Sequence, residues 1–348
     1  MKITAQLYRS SLFFLLSYGL LYFTYKWVNP LEVNPDFFAY YPMIQHPFHY
    51  GVSQSPWVYR QLTTLIAHVI WRLHIYYPLA IQFHDSHYDQ RIFFAQILTN
   101  YLGVLIAAVL SAALIDRWSK GSSFILPVFA GLLCYFNFFL QDTTINGGAD
   151  GMSWALLAAC YLLYKLEKPY LFGAVLSLSV IQREILPVFF MVFSFVALAR
   201  IWREHRTGAR FQLTVFSWSL LVLIAYFVIR MIVRAPGNEY QVNEHAQLQG
   251  LMGFHLSRTY VTEVLLGQNL LIAAIGLWLA VYLRLRQIDK DILPLLLVCL
   301  VLLIVSAMTN IGNNAGRILA LTTPVVAIEI VKAMVMLDGK TKQSFNQP

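Results

Sequence analysis

Long apolar runs separated by short polar breaks recur along almost the whole chain, and no other feature restricts its fold as much. A helix needs about 20 apolar residues to cross a bilayer core. Runs of that order read as spans over Ser10–Val28, Ile92–Ile115, Ser123–Leu140, Met152–Tyr164, Tyr170–Ile181, Ile185–Ile201, Phe211–Val233, Glu263–Leu283, Ile292–Met308 and Ile318–Met336. The fourth and fifth are short, as helices packed inside a bundle can be. Composition agrees: the 348 residues are 58% hydrophobic and 12% charged, against roughly 25% charged in soluble domains. The expected fold class is all-α, a polytopic membrane helix bundle. It is one integral membrane domain over 1–348, with an outer loop at 29–91 and the helix bundle at 92–336.

The net charge of +8 needs no nucleic acid to explain it, because basic loops gather at the cytoplasmic face of membrane proteins. Cys134, Cys160 and Cys299 each lie in an apolar run without CxxC spacing, so neither a disulfide nor a zinc site is expected. The first apolar run ends in Tyr25, Lys26 and Trp27 with no small-residue cleavage site, and reads as a retained span.

Gln61–Leu79 is apolar but carries His68, Arg72 and His74. It either spans or lies along the interface as an amphipathic helix. The loops holding Arg117 and Lys120, Lys165 and Lys168, Arg200 to Arg210, and Arg284 to Lys290 are all basic. With ten spans they share a side with Lys2, Arg9, Lys340 and Lys342. An eleventh crossing would place the N-terminus opposite them. The positive-inside rule therefore favours an interfacial helix and two cytoplasmic termini.

A charge at the bilayer centre costs at least ~2.5–3.5 kcal/mol. In this topology Arg183 and Glu184 of "SVIQREILPVFF" escape that cost at an outer turn. The other outward loops hold Asp36 and Arg60, Asp142 and Asp150 in "QDTTINGGADG", Glu239, Glu244 and His245, and Arg317 in "TNIGNNAGRILALTTP". The inward loops look short, basic and plain, so a site is expected on the outer side. Asp36 suits a general base within reach of a hydroxyl. Arg60, Arg183 and Arg317, each at the mouth of an apolar helix, suit a phosphorylated lipid, because a planar guanidinium binds phosphate through two parallel hydrogen bonds. The plainer alternative is snorkelling and pairing, for example of Arg183 with Glu184. Tyr40, Tyr41, Phe48, Tyr50, Trp57 and Tyr59 suit an interfacial belt or a surface for sugar rings. Asp150 reads as an N-cap, at a position that also suits orienting a sugar or a metal. Gly147 and Gly148 are not a nucleotide motif, since no strand precedes them and no Lys follows. "FHDSHYD", with His84, Asp85, His87 and Asp89, has the density of a divalent site, but reads first as a polar turn.

The order of these features resembles bacterial multispanning glycosyltransferases of the GT-C superfamily. A short N-terminus and one span lead to a long outer loop with an early acid. "PWVYRQL" then opens an amphipathic helix, Asp-Gly starts a later one, "RE" follows at an outer turn, and "GR" comes late, before Pro324. The resemblance implies a polyprenyl-phosphate-linked sugar as donor, with membrane lipid as the other partner. It implies Asp36 as catalytic base, and Arg60, Arg183 and Glu184 at the substrate, with Asp150 and Arg317 as further binding candidates. It also implies a bacterial inner (plasma) membrane location. No cofactor is expected, with room left for a divalent metal. Two other classes fit the same outer residues: a transporter or flippase for a lipid-linked glycan, and a non-catalytic subunit of a polysaccharide assembly complex. A transporter should also carry charged or broken helices near mid-membrane, usually in two matched halves.

Overall fold

The computed structural model describes residues 2–27, 36–53, 57–75, 88–121, 123–137, 148–203, 208–233, 269–287, 289–308 and 319–338. Among these the chain forms α-helices and two 3-10 turns and no strand. The helices are α1 (Lys2–Trp27), α2 (Asp36–Gln45), α3 (Gln61–Arg72), α4 (Gln90–Trp118), α5 (Ile125–Leu133), α6 (Gly151–Lys165), α7 (Pro169–Ser177), α8 (Ile185–Arg203), α9 (Ala209–Ile232), α10 (Asn269–Leu285), α11 (Ile292–Met308) and α12 (Thr323–Asp338). The 3-10 turns are Trp57–Tyr59 and Leu178–Ile181.

Helix α4 is the axis of the bundle. Its 29 residues reach about 44 Å at 1.5 Å per residue. Asp89 caps it by accepting from the Arg91 amide, and α1, α3, α5, α6 and α12 all pack on it. Helices α4, α8 and α9 are long and apolar enough to cross a membrane, by length and composition. On α9, Leu213, Leu221, Ile224, Phe227 and Met231 are all exposed. An exposed apolar stripe this continuous fits contact with lipid rather than with water.

Close helix crossings rest on missing side chains, as in bundles that lack a hydrophobic drive between helices. A Cβ on Gly103 of α4 would lie 2.3 Å from the carbonyl atoms of Gly151 at the start of α6. A Cβ on Gly131 of α5 would lie 2.1 Å from Cζ of the Phe13 ring of α1. Polar clamps add direction. Thr24 and Tyr101 hydroxyls meet at 2.7 Å between α1 and α4, and Asn137 donates to Thr323 Oγ1 at 2.7 Å.

Several boundaries differ from those the apolar runs predict. Helix α1 starts at Lys2 rather than Ser10, and α12 starts at Thr323 rather than Ile318. Helix α5 has nine residues and ends at Leu133. Helix α7 gives way to a 3-10 turn where the Ser177 and Ser179 hydroxyls donate back to the Gly173 and Leu176 carbonyls. Among the described residues, the stretch read as an outer loop holds two α-helices, α2 and α3. Asp36 is the first residue of α2, not a loop residue, and its charge sits at the positive end of that helix. Helix α3 has 12 residues, about 18 Å, short of the ~30 Å hydrocarbon thickness. The three cysteines are buried and free.

Contacts between helix ends sort into two sets. At one end Arg9 pairs with Asp116, Lys332 with Asp289, and Arg284 donates to the Leu337 carbonyl. At the other, Tyr59 donates to the Val233 carbonyl, Arg60 to Tyr40, and Tyr226 to Glu184. These are the sets that the charge argument names inner and outer. An impermeant thiol reagent on intact cells should therefore label His49→Cys and spare Arg210→Cys, both at exposed positions. The opposite pattern would invert the arrangement.

The Gly103 crossing makes a sharper prediction. Gly103→Ala should cost ~1–3 kcal/mol or more by overpacking, seen as a lower melting temperature in detergent. Gly19→Ala, with nothing within 4 Å of the added carbon, should be neutral.

Candidate functional site

The outer end of the bundle is built on a polar lattice at the entrance to α6. Gln96 and Asn100 of α4 donate to the Gly148 carbonyl at 2.6 and 2.7 Å. Asn100 Oδ1 also accepts from the Gly151 amide at 3.3 Å. Gln182, in the turn before α8, donates to the Ala149 carbonyl at 2.6 Å and to Ser153 Oγ at 3.1 Å. Its Oε1 accepts from the Thr63 hydroxyl of α3 at 3.0 Å. One amide thus joins α3, the α6 entrance and the α7–α8 turn, and fixes where the neighbouring charges sit.

Those charges include five of the six residues singled out from the sequence. Arg183 forms a buried ion pair with Asp150, each no more than 5% exposed. Asp150 holds the N-cap position of α6, but its side chain makes no cap hydrogen bond. This corrects the capping assignment: Asn100 takes the first helical amide, leaving the Asp150 carboxylate to Arg183. Glu184 is not the partner of Arg183 in this pair. It accepts from the Tyr226 hydroxyl at 2.7 Å, and the charges of Arg230, Arg60 and Arg183 all act on it. Burial alone would raise the Glu184 carboxyl. The three guanidinium groups outweigh that and hold it below the ordinary glutamate value. Its stabilising contribution is therefore complete above the ordinary glutamate pKa and is lost as pH falls through the folded value.

Arg60 is half-buried and donates to the Tyr40 hydroxyl at 2.7 Å. Burial opposes its charge, yet Tyr40 and the carboxylates of Asp150, Glu184 and Asp36 hold its pKa above the ordinary arginine value. Asp36 thus lies within electrostatic reach of Arg60. Arg317 lies outside the described residues, as do Asp142, Glu239, Glu244, His245 and the three candidate metal ligands His84, Asp85 and His87. Asp89, the fourth, is the cap of α4 and pairs with Arg91. Tyr40 and Tyr59 are buried supports of the site rather than members of an interfacial belt.

The sequence reading missed Arg230. Its guanidinium lies 4.8 Å from the Tyr59 ring centroid and 4.7 Å from that of Tyr226, an arrangement suited to cation–π attraction. Its buried Nε–H meets no hydrogen-bond acceptor among the described residues. The signal was present as one arginine a helical turn beyond Tyr226, but it reads like a snorkelling residue at a span end.

The inner end is not plain either. Lys332 Nζ lies 2.7 Å from Glu329, 3.0 Å from Asp291 and 3.4 Å from Asp289, and Lys165 pairs with Asp291. Burial alone would raise the Asp291 carboxyl, but the ammonium groups of Lys165 and Lys332 keep it well below the usual range. The three carboxylates lie close enough to share an ion. However, Lys332 already sits between them, so this donor set does not fit a resident metal. Glu329 and Lys332 fall inside an apolar helix, where charge is rare and costly.

Compared with protein-family models, curated proteins and solved structures, the chain matches none.

Asp150→Asn should destabilise the protein by ~3–5 kcal/mol, because it strands a buried guanidinium. The double variant with Arg183→Gln should lose less than the sum of the two single variants, as read from melting in detergent. Additive losses would show that the pair does not act as a unit.

Proposed function

We propose that this chain is a membrane glycosyltransferase of GT-C type. It moves a sugar from a polyprenyl-phosphate donor to an acceptor hydroxyl at the outer face of a bacterial plasma membrane. The observation that carries this reading is the gathering of Asp36, Arg60, Asp150, Arg183, Glu184 and Arg230 from separate stretches of the chain at one end of the bundle. A charged cluster where helices meet the surface suits a substrate with a phosphate head and an apolar tail.

In the reaction, the acceptor oxygen attacks the anomeric carbon and Asp36 takes its proton. The bond from that carbon to the phosphate oxygen breaks, and the lipid phosphate leaves with the electron pair. Arg60 and Arg230, both half-buried, face the charge that develops there. The ion-paired Arg183 and Asp150 hold the α6 entrance and the α7–α8 turn together, which makes them positioning residues. Glu184 and Tyr226 orient Arg230. Arg317 is a further candidate for the phosphate.

A second reading, an ion-coupled carrier for a lipid-linked glycan, draws on the buried charges around Glu329, since such groups mark ion pathways in membrane helices. Labelled donor in reconstituted vesicles separates the two. Asp36→Asn should lower sugar transfer by ~10²–10⁴-fold and leave donor binding intact. A carrier would instead move intact donor between leaflets, keep doing so in Asp36→Asn, and lose it in Glu329→Gln. Transfer at the wild-type rate in Asp36→Asn would overturn the assignment of the base.

A further inference from the structure

At the inner end of the bundle α8 packs on α11, whereas α10 packs on α12 and stands off from α8 and α11. They leave a cavity of about 820 Å³, within the size range of pockets that hold small organic ligands. Val196, Ile275, Leu279 and Leu293 give it apolar walls. Its charged lining is of a different kind. Arg200 and Arg203 come from the last turn of α8, and Lys290 and Asp289 from the turn between α10 and α11. Asp289 already faces Lys332. Among the described residues that line it, the cations outnumber the acid three to one.

One further atom points to a ligand. Trp278 lines the cavity and is 4% exposed, and its indole N–H meets no acceptor among the described residues. A buried donor of this kind ordinarily has a partner. Trp278 lies one helical turn before Tyr282, so the indole is deeper in the bundle than the cationic end.

We propose that this cavity binds an anionic glycerophospholipid from the leaflet at the inner end of the bundle. Its acyl chains lie along the apolar walls and an ester carbonyl accepts from Trp278. Its phosphate sits among Arg200, Arg203 and Lys290. Lipid chemistry supplies these three features in that order of depth, and basic pockets between helices on this side of a membrane are suited to anionic headgroups. The site is separate from the outer cluster, and the inference does not depend on the glycosyltransferase reading.

Native mass spectrometry of the full chain, released from micelles doped with phosphatidylglycerol or with phosphatidylcholine of the same chains, tests the proposal. The wild type should retain phosphatidylglycerol preferentially. Arg203→Gln with Lys290→Gln should lower that preference by roughly fivefold per charge removed. Lys290→Gln alone, at an exposed turn, gives the same reading if the double variant does not fold. Trp278→Phe keeps the ring and removes the donor, and should weaken retention of both lipids. Equal retention of the two lipids by the wild type would overturn the proposal. So would an undiminished preference in the charge variants. Displacement of the lipid by millimolar inorganic phosphate would show a site for free phosphate instead.

Discussion

The outer half of this protein depends on the buried ion pair between Arg183 and Asp150. Taking two charges out of water is unfavourable unless they meet each other in good geometry and keep further hydrogen-bonding partners. That requirement makes the pair a strong constraint on position. Arg183 belongs to the turn before α8 and Asp150 to the entrance of α6. Gln182, the neighbour of Arg183, holds the carbonyl of Ala149, the neighbour of Asp150. Two adjacent links between the same two segments define both distance and orientation. Glu184 follows from them, and through Tyr226 so does Arg230 at the end of α9.

The two ends of the bundle answer the cost of buried charge differently. At the outer end three guanidinium groups and three carboxylates are balanced, with Arg60, Arg230 and Glu184 only partly buried. Under the proposed function, that partial exposure lets the cluster take up the charge of an arriving phosphate. At the inner end Asp289, Asp291 and Glu329 are buried and tied to the ammonium groups of Lys332 and Lys165. That network clamps α12 against α6 and the α10–α11 turn. The first arrangement suits chemistry on a bound ligand, and the second suits the holding of a long helix in register.

How much of this was legible depends on whether the signal was local. The helical bundle was, because apolar length is written along the chain. The outer residues were legible as types, since Arg183, Glu184 and Asp150 are conspicuous in an apolar context. Their partners were not. Arg183 and Glu184 are adjacent, yet the ion-pair partner of Arg183 is Asp150, far earlier in the chain. Asp150 looked like a cap because nothing in the sequence says that Asn100, about fifty residues earlier, supplies the acceptor for Gly151. The inner network was hidden by its surroundings: Asp289 and Asp291 flank Lys290 in a loop counted as basic. Glu329 and Lys332 were readable as an i, i+3 pair inside an apolar run, and their presence there was the overlooked sign.

The central claim is that the outer cluster works on a phosphate-linked sugar at the membrane surface. Mass spectrometry of the lipid and glycan fractions from host cells with and without this chain tests it most directly. The account predicts that, without the protein, a polyprenyl-phosphate sugar accumulates and a glycan appears that is lighter by that one sugar. Unchanged donor and unchanged glycan in the two cell populations would contradict it.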